Sequence, residues 1–365
     1  QYQVPTINYT GQDAKIPVIY KANLSYTHFF TEKLKAGVTG YLTLGRNNYA
    51  YIDRNMVADP YFRLSNEGNR GVYVPASTMP ASGNGDWLQG RISKKLGRVL
   101  ELVSEGKVNQ YAVVFETSYN YFKDGELSFS YTWNDTKDNT SFNGNVANTS
   151  TLSLPVKEDP RNLSLVTYSD NQFRHKIVGY AISPTLFKGL NISLRYSGIG
   201  GTRYTLLSGI NTNADFVATN DLAYIFDRNA AATPQAVKDG LQAILDNPNA
   251  SQSVKDYILK YEGAFAERNG GVNGFFGTWD ARISYRLGFG YKRKQGIELS
   301  ADLFNVMNLI DKNKGSAKTF GSHALYANGG FDTANQIFRY NVNTAGIVTP
   351  SGNPWQLQLG LKYTF

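Results

Sequence analysis

The eleven residues that close the chain, Trp355-Gln356-Leu357-Gln358-Leu359-Gly360-Leu361-Lys362-Tyr363-Thr364-Phe365, alternate without exception: odd positions are apolar, even positions polar or glycine. In a β-strand this period of two puts one set on each face. Eleven residues at roughly 3.3 Å each, tilted by about 45°, rise about 25 Å, the height of the apolar band of a transmembrane barrel. Leu357, Leu359 and Leu361 occupy the middle of that height, and Trp355, Tyr363 and Phe365 its two ends. Aromatic–aliphatic–aromatic order is what a strand crossing lipid needs, because amphipathic rings sit at the two interfaces. A soluble sandwich strand also alternates, and extraction into water without detergent is the observation that favours it.

The same rhythm recurs along the chain. Val18, Tyr20, Ala22, Leu24 and Tyr26 alternate with polar residues, and after a short turn Leu34, Ala36, Val38, Gly40, Leu42 and Leu44 return. Val113 to Tyr121 and Leu127 to Trp133 form a second hairpin across Lys123-Asp124-Gly125. Val178, Tyr180 and Ile182, then Leu190 to Tyr196, form a third. Trp279, Ala281, Ile283, Tyr285, Leu287 and Phe289 lead through a basic turn, Lys292-Arg293-Lys294, to Ile297, Leu299, Ala301 and Leu303. With the terminal strand this makes nine. Strands joined by so few residues pair as antiparallel hairpins. Between the hairpins lie long polar stretches, 46–110, 134–174, 198–277 and 308–354. The first contains a possible helical piece at 97–106. In the third, helical spacing at 234–245 and 251–265 predicts a small cap, with Ala236, Val237, Leu241, Ile244 and Leu245 on one side and Thr233 capping ahead of Pro234.

The expected fold is therefore an all-β membrane protein: an antiparallel transmembrane β-barrel wall, residues 1–365, with long extracellular loops, of which 198–277 bears short helices. Short turns on one side and long loops on the other place the carboxy terminus in the periplasm. Single-chain bacterial barrels usually have an even strand count, so nine predicts leading strands and a plug outside this sequence. The amino end, Gln1-Tyr2-Gln3-Val4-Pro5, has neither the basic nor the apolar region of a secretory signal, which fits a mature chain or the carboxy-terminal part of a longer one.

Mean hydropathy is −0.37, and no apolar run nears the ~20 residues of a spanning helix. Without cysteine there is no disulfide, thiolate metal site or cysteine nucleophile. The net charge of +8 is dispersed, which points away from nucleic acid and towards the phosphates of a lipopolysaccharide surface. His28, His175 and His323 lack metal-ligand spacing and are expected in the lumen or loops. Gly198-Ile199-Gly200-Gly201 opens no helix and reads as the flexible start of a loop rather than a phosphate cradle. The stretch Asn134-Asp135-Thr136-Lys137-Asp138-Asn139 has oxygen ligands for calcium but not the glycine spacing of an EF-hand. No cofactor and no catalytic residue is expected.

Ser300-Ala301-Asp302-Leu303-Phe304-Asn305-Val306-Met307-Asn308 resembles the penultimate-strand signature of TonB-dependent outer-membrane transporters, with Met307 in place of the usual aromatic. Leu359, Leu361, Tyr363 and Phe365 are similar to the family's last strand and to the β-signal for barrel insertion. The stretch Asn220-Asp221-Leu222-Ala223-Tyr224-Ile225-Phe226-Asp227 resembles the Oar-like branch, whose members carry a carboxypeptidase-regulatory-like amino-terminal domain. The resemblance implies a plugged barrel of about 22 strands in a Gram-negative envelope. It also implies import of a solute driven by TonB through an amino-terminal region this chain lacks. The other function open at this point is a structural or interaction barrel in a surface complex, docking a partner such as a lipoprotein.

By alternation, Arg195, Arg282, Arg286, Glu298 and Asp302 face the lumen together with Lys21 and Glu116, while Trp279, Phe289 and Trp355 belong to the aromatic belts. A tight hairpin predicts Arg286 opposite Glu298 and Arg282 opposite Asp302, opposite charges worth about 0.2–1 kcal/mol per pair. Asp302 and Asn305 are expected to hold the wall or a plug.

Overall fold

The computed structural model describes residues 4–141, 147, 153–217, 219–289, 295–312, 314–316, 319–344 and 354–365. Nine long strands run Val18–Phe29 (β1), Leu34–Asp53 (β2), Val99–Tyr121 (β3), Gly125–Asp138 (β4), His175–Ile182 (β5), Leu190–Gly200 (β6), Phe276–Phe289 (β7), Gln295–Phe304 (β8) and Gln356–Thr364 (β9). They form one antiparallel meander in chain order. Three described short turns, 30–33, 122–124 and 183–189, close hairpins at one end, and the long connections leave from the other. Among the described residues β1 pairs only with β2 and β9 only with β8, so the wall is an open section of a β-barrel. No described helix is long and apolar enough to cross a membrane, which does not bear on strands. The basic turn at Lys292-Arg293-Lys294 lies outside the described residues.

Cross-strand pairing carries one face through the whole wall. Leu24 opposes Gly40, Val38 opposes Phe115, Phe115 opposes Tyr131, Leu194 opposes Ala281, Tyr285 opposes Leu299, and Leu299 opposes Leu361. One strand departs from the expected facing. In β5 it is Ile177, Gly179 and Ala181 that stand on the apolar face, opposite Tyr131, Phe129 and Leu127. Val178, Tyr180 and Ile182 lie with Ser130, Ser128 and Glu126 on the polar one. The run Ile177–Ile182 is apolar at nearly every position, so period two has nothing to grip, and the neighbouring strands set the register.

β2 and β3 are longer than expected. The 23 residues of β3 extend about 75 Å along the strand, well beyond the apolar band. The stretch 97–106 is therefore mostly strand and not helix. Above Gly45 the β2–β3 pairing shifts twice, around Asn48, and a short strand Ile7–Thr10 joins the upper part of β3 in parallel.

The long connections are not open loops. Residues from 54–98, 201–275 and 305–355 share one hydrophobic core, with Leu64, Val74, Leu206, Ile225, Phe226, Leu325 and Phe338 nearly fully buried. The helices Gln235–Asp246 (α1) and Gln252–Lys260 (α2) pack into it through Val237, Leu241 and Ile244, and Val254, Tyr257 and Ile258. Three details depart from the sequence reading. Ala236 is exposed. Pro234 is the cap of α1, while Thr233 donates its hydroxyl to the Asp227 carbonyl instead. α2 stops at Lys260, and Ala264–Phe265 pairs as strand with Tyr224–Ile225. The cap is thus a folded layer made from three connections, larger than the one-loop cap expected.

Buried ion pairs fasten it to the wall. Arg91 grips Asp53 at the top of β2. Arg268 donates to Asp138 Oδ1 at 3.0 Å and to the Asp138 carbonyl at 2.9 Å, at the top of β4. Inside the cap, Arg70 reaches Asp221 at 3.3 Å and Glu67 at 3.3 Å with no side-chain exposure.

Candidate functional site

None of the described residues covers the apolar face. Leu24 is 83% exposed, Leu359 74% and Leu361 73%. A continuous apolar face of this extent is far beyond the patches a monomeric soluble protein leaves in water. Rings stand at both ends of it, with others between them, such as Phe115 opposite Tyr131. At the long-connection end Trp279 tilts against Tyr196 with centroids 4.8 Å apart, and Trp355 precedes β9. At the short-turn end Phe289 stacks with Tyr363 at 6.2 Å, and Phe365 follows Tyr363. Trp279 and Phe289 are ten residues apart on β7, about 23 Å of height at a tilt near 45°. His28 and His175 stand on this same face rather than in the lumen. His28 lies between Tyr26 and Phe30, and His175 is hydrogen-bonded to Tyr131 at 2.8 Å.

The opposite face is polar, and Lys21, Glu116, Arg195, Arg282, Arg286, Glu298 and Asp302 all share it. Arg282 is directly across from Asp302 and Arg286 from Glu298. The contacts are less symmetrical than the register. Arg282 donates to both Asp302 oxygens at 3.0 Å and also reaches Glu298 at 3.4 Å, so one guanidinium bridges two carboxylates. Arg286 has no ion pair of its own among the described residues. Beside this cluster is a groove of about 290 Å³ lined by Arg195, Asp280, Arg282, Asp302, Tyr180 and Phe304. A second groove, about 450 Å³, lies nearer the short turns between Lys35, Glu116, Glu126 and Tyr180. Tyr180 donates to Glu126 at 2.6 Å. Alternation did not find Tyr180 here, because it assigned β5 to the other register.

The Asp302-Leu303-Phe304-Asn305 stretch ends the wall. Asp302 takes Arg282, Leu303 stands on the apolar face opposite Leu357, and Phe304 faces the groove. Asn305 turns the chain off the sheet with φ +54°, a left-handed conformation that asparagine tolerates better than most residues. It is nearly buried, its amide donates to Asp280 Oδ1 at 2.9 Å, and its carboxamide donates to the Gly315 carbonyl at 3.0 Å.

No metal centre assembles among the described residues. In the 134–139 stretch, Asp135 is paired with Arg174 at 2.7 Å and Asp138 with Arg268, so guanidinium groups take the carboxylates a calcium ion would need. Gly198 and Gly200 belong to β6 and give Phe275 room to lie against the backbone, so this segment is strand rather than a flexible loop start. The Asn220–Phe226 stretch is interior to the cap, with Asn220, Asp221 and Ile225 fully buried.

An apolar face left uncovered by the described residues, backed by a polar grooved one, defines an open section of β-barrel wall. No family model matches the sequence, and no curated protein matches it. Among solved structures the chain is similar to the outer membrane transporter YddB from Escherichia coli, at 11% identity and TM-score 0.47, covering 100% of this chain and 35% of that one. It is also similar to the FrpB iron transporter from Neisseria meningitidis (F3-3 variant), at 9% identity and TM-score 0.44, covering 98% and 33%. The copper transporter OprC follows at 8% identity and TM-score 0.38, covering 96% and 32%. The chain spans about a third of the length of these structures.

Proposed function

We propose that the chain is wall and surface cap of an outer-membrane receptor or transporter that captures or moves a solute at the cell surface, without catalysis. The carrying observation is the pairing of two opposed faces: an uncovered apolar band with rings at both ends, and behind it polar grooves leading up to a folded cap. Lipid and lipopolysaccharide meet the first face and the solute meets the second. Specificity resides in the cap, since connections on a rigid scaffold carry recognition. Energy reaches the solute path through TonB and a plug contributed by a part of the protein beyond this sequence.

Fractionation of cells making the whole natural protein tests the membrane part. The protein should pellet with the outer membrane, resist alkaline carbonate and require detergent for release. Recovery in the aqueous fraction without detergent would contradict it. The consolidated core of the cap favours a second reading, a docking platform for a surface lipoprotein. Loss of uptake of a solute on deletion supports transport. A stable stoichiometric partner with uptake intact supports the platform.

A further inference from the structure

We propose that the rim just above the aromatic girdle holds a binding site for the phosphate of a membrane-lipid headgroup, formed by Arg174, Arg203 and Lys137 around the ring of Tyr168. The proposal rests on the lipid-facing reading of the wall and adds to it a defined ligand position.

Lys137 lies four residues beyond Trp133 on the apolar face of β4 and pairs across to Tyr168. Three cations converge on that ring. Arg203 lies 3.7 Å from its centroid, Lys137 5.0 Å and Arg174 5.8 Å, and Arg174 also covers Trp133 at 5.4 Å. Gly201 makes the approach possible. Its φ is +72°, and a Cβ there would lie 2.5 Å from the Arg174 Cβ.

The charges do not balance. Asp135 is paired with Arg174 at 2.7 Å, and Arg203 feels the same carboxylate but makes no ion pair of its own among the described residues. Its Nε is sealed from solvent with no hydrogen-bond acceptor. Burial lowers its pKa most, and the Arg174 charge lowers it further, opposed by Tyr168 and, more weakly, by Asp135. Three cations against one carboxylate leave two positive charges in excess. A phosphomonoester supplies a matching anion with oxygens for a guanidinium fork. Depth selects the source. Trp133 marks the girdle directly below, and Phe275 and Val272, about half exposed, stand at the same rim. A free phosphate has no use for that apolar margin, whereas the acyl chains beneath a lipid headgroup do.

The test uses the full-length protein in detergent, titrated with bis-phosphorylated lipid A, with dephosphorylated lipid A and with inorganic phosphate, read by tryptophan fluorescence. Each cation near an anionic surface contributes about five-fold in binding, so removing the phosphates should weaken binding by ten-fold or more. Lys137→Gln and Arg203→Gln should each lose about five-fold. Lys137 is exposed, so its variant reports on binding even if the Arg203 variant folds poorly. Equal affinity for the two lipid forms, or unchanged binding in Lys137→Gln, overturns the site. Competition by inorganic phosphate at concentrations equal to the lipid assigns the pocket to free phosphate and overturns the headgroup. Failure to insert into phosphatidylcholine vesicles overturns the wall reading itself. Insertion without a phosphate preference sinks this proposal alone.

Discussion

Arg268 shows how a single side chain ties the two halves of the molecule together. It is 2% exposed, and its guanidinium meets Asp138, Ser141 and Asp170 at 2.7–3.2 Å. Removing one member of a buried pair leaves the other charge stranded, so Arg268→Ala should cost about 3–5 kcal/mol in unfolding. The exposed pair Arg339–Asp332 is the control, and Arg339→Ala should cost under about 1 kcal/mol. Urea unfolding followed by limited proteolysis of the cap separates the two. A second residue gives the cap a pH dependence. Asp221 is fully buried beside Arg70 and Asp215, and burial, helped by the Asp215 charge, pushes its carboxyl from 3.8 up to about 7, against the pull of Arg70. The folded cap therefore binds a proton that the unfolded chain releases. Its stability should be greatest below about pH 4 as far as this group is concerned, and should fall as pH rises towards 7. Asp221→Asn should flatten that slope in thermal midpoints measured from pH 4 to 8, and an unaltered slope would refute the assignment.

At the scale of elements, α1 gives a graded test of the cap core. Leu241 has no exposure, so Leu241→Ala should destabilise by about 2–5 kcal/mol. Ala236→Ser, on the same helix but exposed, should change stability by less than about 0.5 kcal/mol. Equal effects in thermal melts would mean that α1 does not pack as described. The hairpins were legible in the sequence because β7, β8 and β9 alternate cleanly, so facing and register follow from period two alone. β5 was not, because it is apolar on both faces and only its neighbours decide which side meets which. The upper halves of β2 and β3 were hidden for another reason. There Ala50 and Ile52 pack with Leu154, Val156 and Leu163 from another connection, so alternation lapses while the ladder continues. The cap core was invisible because its apolar residues come from three separate connections, none periodic enough to announce a layer. The same holds for Arg174, Arg203 and Tyr168, which meet only through folding.

For the molecule as a whole, the central claim is that one wall divides lipid from a polar interior. These 365 residues contain no cysteine, so a cysteine introduced on β9 is the sole thiol among them. The most direct measurement is nitroxide accessibility in bilayers along β9 of the full-length protein, labelled singly at positions 357 to 363. A period of two is expected: Leu357, Leu359, Leu361 and Tyr363 accessible to oxygen and shielded from a polar nickel chelate, with Gln358, Gly360 and Lys362 showing the reverse. Uniform access to the chelate at all seven positions, or immobile labels shielded from both reagents at the leucines, would contradict it.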